Sequence, residues 1–201
     1  MSGSARREIT AGMKASRMFQ QNQNLLLASV VIFLTGGING YFAHGYLPAG
    51  KAVANEFVLT LPAEPTALDY IANNISVALI TMLGGVLTLG VAAVFLLFIN
   101  GVIVGESAAA ALGQMPAGEV LVKIVPHAIF EAPAMLLAGA GGLLSMKIVI
   151  VLLREKRVDY KAELINVGHL AAAVVLLLVI AGVVEAHITP ALTELLYGVE
   201  K

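Results

Sequence analysis

The chain has 201 residues, of which 59% are hydrophobic and 12% charged, and its formal net charge at pH 7 is −1. Soluble domains carry about twice that share of charge, so a soluble enzyme is excluded, and the lack of a basic field excludes nucleic acid as a partner. The absence of cysteine removes disulfides, zinc thiolates, iron–sulfur clusters and a cysteine nucleophile. What remains is an all-α, polytopic membrane helical bundle.

In chain order, residues 1–23 read as a cytoplasmic N-terminal segment with Arg6, Arg7, Lys14 and Arg17. Asn24 to Ala43 is uncharged and has the roughly 20 residues that a spanning helix needs. The polar stretch before it is longer than the charged region of a signal peptide, so an uncleaved first span is expected. The following loop, His44 to Tyr70, sets Glu56, Glu64 and Asp69 against Lys51, as suits the outer side. Its AVANEFVL stretch suits a short interfacial helix. A second uncharged run extends from Asn74 to Ile99, with one of Asn73 and Asn74 as its cap. Asn100 to Met115 is weakly apolar and contains Glu106, and Val120 to Leu153 is interrupted by Pro126, Pro133 and Ala138 to Gly142. The last span, Leu164 to His187, is closed by Ile188-Thr189-Pro190, because the residue before proline avoids helical geometry. The expected division is thus a transmembrane helical domain over 24–190 and a short C-terminal tail over 191–201.

Arg154, Lys156, Arg157 and Lys161 form a second basic cluster before the last span. The positive-inside rule puts both clusters in the cytoplasm. The first two spans use one round trip, so an even number of crossings lies between Asn100 and Leu153. Either Asn100–Met115 crosses outward and Val120–Leu153 returns, or the region is a re-entrant hairpin that crosses nothing. The expectation is about five transmembrane helices with one broken or re-entrant region, N-terminus inside. Gly36-x-x-x-Gly40 and Gly101-x-x-x-Gly105 permit close helix contact, within one chain before between two.

An ionisable residue inside a span is a functional candidate. In the five-crossing topology His44, Asn73, Asn74, His127, Glu131, Glu185 and His187 all fall in the outer third of the membrane. His127 and Glu131 are four apart and share a helix face. Imidazole and carboxylate suit zinc, and also manganese or iron, although the zinc-protease signature H-E-x-x-H is absent. Glu185 and His187, two apart, reach a common point only where the helix ends or unwinds. The alternative for His127 and Glu131 is a buried pair that pins two helices together, and for Glu185 and His187 a solvated headgroup position. Lys147 reads as snorkelling toward the cytoplasmic interface, and His169 as an interhelical donor. Asn100 joins the polar core.

Asn73-Asn74, Asn100-Gly101 with Gly105, the run Pro126-His127-Ala128-Ile129-Phe130-Glu131-Ala132-Pro133-Ala134, Ala138 to Gly142, and Val184-Glu185-Ala186-His187-Ile188-Thr189-Pro190 together resemble the stage II sporulation protein M family. The resemblance covers roughly Asn24 to Pro190, with Ala128 standing where the family has glycine. It implies a multi-span membrane protein whose relatives in spore formers anchor cell-wall hydrolases, and it assigns the polar core to Asn74, His127, Glu131 and Glu185.

Three functions stay open. The first is a membrane scaffold whose core binds a metal ion, zinc foremost and no other cofactor, with His127, Glu131, Glu185 and one of His44 or His187 as ligands. The second is a metallohydrolase, told apart by an open coordination position and a cavity reaching the outer leaflet. The third is a transporter built on broken helices around Pro126, Pro133 and 138–142, with its cavity between two subunits. Expected partners are membrane lipids, a second copy of the chain as a homodimer, and other membrane or cell-envelope proteins. The expected location is the cell membrane.

Overall fold

The computed structural model describes residues 3–46, 64–154 and 157–198, and the expected interfacial helix over 52–59 lies outside them. The described residues form helices and turns: α1 (Gly3–Ala43), α2 (Ala67–Leu87), α3 (Val91–Leu112), α4 (Ala117–Leu153), α5 (Tyr160–Val183), a π turn (Val184–Ile188) and α6 (Thr189–Tyr197). Five stretches are long and apolar enough to cross a membrane: Asn22–Ala43, Ala67–Leu87, Val91–Leu112, Ala117–Leu153 and Tyr160–Tyr197. The chain is a multi-pass membrane protein.

The number of spans is the expected one, while the boundaries of the second, third and last differ from expectation. The uncharged run Asn74–Ile99 is cut at Thr88–Gly90, where Leu89 (φ 54°) and Gly90 (φ 93°) turn the chain back with positive φ. The second span therefore begins earlier, capped by Thr66 rather than by Asn73 or Asn74. The Thr66 N–H donates to Asp69 Oδ2 at 2.7 Å and the Asp69 N–H donates to Thr66 Oγ1, a capping box. Of Asn100–Met115, expected to cross weakly or to open a re-entrant hairpin running to Leu153, the part to Leu112 is the second half of the full-length helix α3.

Helix α4 is continuous for 37 residues through Pro126, Pro133 and Ala138–Gly142. At 1.5 Å per residue it is about 55 Å long, well beyond a hydrocarbon core of about 30 Å. The glycines expected to break it are instead where neighbours come closest. A side-chain carbon on Gly139 would meet Leu97, one on Gly141 would meet Met82, and one on Gly142 would meet the Thr81 carbonyl. Met82 and Ala78 of α2, Ala134, Met135 and Ala138 of α4, and Leu170, Val174 and Leu178 of α5 form the core.

The two small-residue pairs are used on each other inside the chain. Gly36 and Gly40 of α1 lie against the backbone of Phe98 and Val102, and Gly101 and Gly105 of α3 lie against Phe33 and Gly37. At the end where α1 enters the bundle and α5 begins, Asn22 and Asn166 exchange two buried amide hydrogen bonds of 2.8 and 2.9 Å. Beside them the Lys147 ammonium donates to Glu163 at 2.9 Å, so this lysine is ion-paired rather than reaching outward alone. His169 faces outward on α5, not between helices.

Candidate functional site

The polar candidates gather at the opposite end, where α2 begins, α4 is in its first third and α5 finishes. Helix α4 stacks Glu119, Lys123, His127 and Glu131 at four-residue spacing on one face. Glu119 and Lys123 form an ion pair of 2.7 Å. The next two residues of the ladder, His127 and Glu131, face Glu185 at the end of α5. The three offer ligand atoms that lie within 4.8 Å of one another.

Glu185 reaches this point from a π turn. The Thr189 N–H donates to the carbonyl of Val184, five residues back, and the chain then continues into α6. The helix expected to end at Thr189-Pro190 thus widens by one residue and goes on, with Pro190 in the first turn of α6, where its missing N–H costs no bond. Residues 191–197, expected as part of a tail, are helical, and Tyr197 returns α6 to the start of α4 at Gly118. Single π turns inside α-helices are rare and concentrate at functional sites.

Zinc holds nitrogen and oxygen ligands at about 2.0–2.2 Å, so two ligands on one ion lie at most about 4.4 Å apart. A spread of up to 4.8 Å is closed by sub-ångström side-chain shifts. His127 Nδ1 is buried and has no hydrogen-bond partner among the described residues. A ring nitrogen without a partner, on a histidine grouped with two carboxylates, is a lone pair that a cation could take.

An open cleft of about 420 Å³ adjoins the cluster, lined by Tyr70, Lys123, His127, Glu185, Thr189, Pro190, Thr193, Glu194 and Gly198. Thr189 is buried, and its hydroxyl also has no partner among the described residues. The sequence reading left out Tyr70, Lys123 and Thr189 as site residues. Two of the three carried a signal in their spacing: Tyr70 is three and four residues before Asn73 and Asn74, and Lys123 is four before His127.

The remaining candidates are placed elsewhere. His44 Nδ1 lies 3.8 Å from Glu106, tying the end of α1 to α3, and is not brought to the three-residue cluster. His187 is exposed on the π turn. Asn73 donates to Asn74 at 3.1 Å, and both are buried inside α2. Asn100 bonds back to the Leu96 carbonyl at 2.8 Å within its own helix.

No solved structure matches this chain. An uncharacterized protein of Methanocaldococcus jannaschii is 32% identical over 123 residues, which is 60% of this chain and 68% of that protein. The sequence pattern of Stage II sporulation protein M matches residues 29–190, from the middle of α1 through the π turn to Pro190. The match takes in every helix of the core and all three residues of the His/Glu cluster, and the chain belongs to the Stage II sporulation protein M family.

Proposed function

We propose that this protein is a membrane scaffold of the stage II sporulation protein M type, built around a divalent cation held by His127, Glu131 and Glu185. The observation that carries the reading is the convergence of three ligand atoms from α4 and the π turn within 4.8 Å, on a cluster whose histidine has a buried ring nitrogen without a partner among the described residues. Zinc is the ion whose chemistry suits this donor set first, with manganese and iron next. The metal would tie the end of α5 to α4 at one end of the bundle. The two basic clusters belong to the other end, so the positive-inside rule turns the cluster toward the outer leaflet of the cell membrane. There it is within reach of cell-envelope proteins or of a second copy of the chain.

A second reading is favoured by the cleft. Three protein ligands beside an open space of about 420 Å³ match a catalytic zinc site, in which water takes the fourth position, more closely than a closed structural one. In that case the protein is a membrane-embedded metallohydrolase. A transporter lacks this kind of support, because α4 runs unbroken where broken helices were expected.

The test is metal-dependent stability in detergent. A ligand at about 100 times its Kd stabilises the folded state by about 2.7 kcal/mol. Zinc is expected to raise the melting temperature of the chelator-treated wild type and to leave that of Glu131→Gln unmoved. An equal shift in both proteins contradicts the assignment. If zinc shifts the wild type, retention of a labile water on the bound metal supports the hydrolase reading, and its absence supports the scaffold.

A further inference from the structure

The cleft beside the cluster contains a buried hydroxyl without a partner among the described residues. Thr189 is 8% exposed, and its Oγ1 has no hydrogen-bond partner among the described residues. Helical threonine ordinarily bonds to the carbonyl four residues back, as Thr35, Thr81 and Thr193 do here at 2.7, 2.8 and 2.9 Å. Thr189 stands where the four-residue ladder gives way to the five-residue bond of the π turn, and its hydroxyl is left over. An unpaired buried donor costs about 1–3 kcal/mol, so it is retained where something else bonds to it. It lines the same space as His127 and Glu185.

Charge restricts what that partner is. A divalent ion on Glu131 and Glu185 makes the cluster neutral. Lys123 is engaged by Glu119 at 2.7 Å, and Glu194 adds an exposed negative charge to the cleft rim. A phosphate or carboxylate entering here meets net negative charge, whereas a neutral carbonyl oxygen meets a metal and a hydroxyl donor. A peptide amide offers that carbonyl without the phosphate that accompanies the ester carbonyls of a phospholipid.

We propose that the cleft takes the neutral amide carbonyl of a peptide segment, held between the metal and the Thr189 hydroxyl. This rests on the metal reading above and adds the ligand class and a positioning residue to it. The protein's role, scaffold or hydrolase, then concerns a polypeptide presented at the end of the bundle opposite the basic clusters.

The experiment uses the full chain in detergent, loaded with cobalt(II), whose visible spectrum reports the ligands on the metal. The probe is N-acetyl-dialanine N-methylamide, an uncharged peptide whose carbonyls are ordinary amides, compared with inorganic phosphate at the same concentration. The peptide amide is expected to shift the cobalt bands where phosphate does not. Thr189→Val is expected to bind as much cobalt as the wild type but the probe about tenfold more weakly, and Thr189→Ser to restore it. Tighter binding of phosphate than of the peptide amide, or an unchanged probe affinity in a folded Thr189→Val, overturns the proposal while leaving the metal site standing. Failure of the wild type to bind cobalt overturns the metal reading, and this proposal falls with it. If Thr189→Val does not fold, the wild-type comparison of the peptide amide with phosphate still decides.

Discussion

At the scale of single residues, the chain separates polar groups that satisfy one another from polar groups that wait for something. Asn22 and Asn166 are the first kind, both buried and bonded to each other twice. Interhelical side-chain bonds in membranes average about 0.6 kcal/mol, and an amide left buried and alone costs about 1–3 kcal/mol. Asn166→Ala is therefore expected to destabilise the protein by about 1–3 kcal/mol, measured by unfolding in mixed micelles. The double variant with Asn22→Ala is expected to cost less than the sum of the two singles, because either single change already removes both bonds of the pair; additive costs would contradict the pairing. His127 and Thr189 are the second kind, each with an unpaired buried atom next to one cleft. That His127 and Glu131 share a helix face was legible from spacing alone, since four residues on a helix are about one turn. His44 and His187 were not separable from them in the sequence, because membrane depth says which residues share a level and nothing about which share a side. In the structure His44 meets Glu106 and His187 faces out.

At the scale of helices, close approach explains more than hydropathy. The α1–α3 contact brings backbone against backbone at Gly36, Gly40, Gly101 and Gly105. A methyl group on Gly101 would overlap the Phe33 carbonyl oxygen, whereas one on Gly37 would sit 3.6 Å from the Gly101 carbonyl oxygen in ordinary contact. Overpacking of this kind costs about 1–3 kcal/mol. Gly101→Ala is expected to lower the unfolding free energy by that amount, and Gly37→Ala to leave it nearly unchanged; equal effects would contradict the packing. The division between α2 and α3 was hidden from the sequence for a physical reason. Its turn is made of Thr88, Leu89 and Gly90, with no charge to interrupt the apolar run, and its one mark is a glycine in a stretch already rich in glycine. Pro126 and Pro133 misled in the other direction, because proline in a packed membrane helix is tolerated where neighbours or water take up the freed carbonyls. The π turn carried no recognisable sequence signal, and it is the element that delivers Glu185 and Thr189 to the cleft.

At the scale of the whole molecule, the bundle has two unlike polar ends. One holds the Asn22–Asn166 and Lys147–Glu163 pairs beside Arg154, Arg157 and Lys161, and the other holds the His/Glu cluster, the cleft and the His44–Glu106 contact. The positive-inside rule orients them, and the cysteine-free sequence makes the orientation easy to test. Glu64→Cys, before α2, is expected to react with an impermeant maleimide on intact cells, and Arg157→Cys, before α5, only after permeabilisation. The reverse pattern would put the cluster on the cytoplasmic side. Class, helix count and family were all readable from the sequence, because hydropathy and a few motifs carry them. The cleft was not, because it is formed by α2, α4 and α6 meeting around a turn whose width no local pattern announces.

The most direct measurement is the metal content of the protein purified in detergent without chelator, determined by mass spectrometry for the wild type and for His127→Ala. A metal site on His127, Glu131 and Glu185 predicts close to one equivalent of zinc, or of another divalent transition metal, in the wild type and none in the variant. No metal in either protein, or the same amount in both, would contradict it and leave the three residues a half-buried polar cluster joining α4 to the π turn after α5.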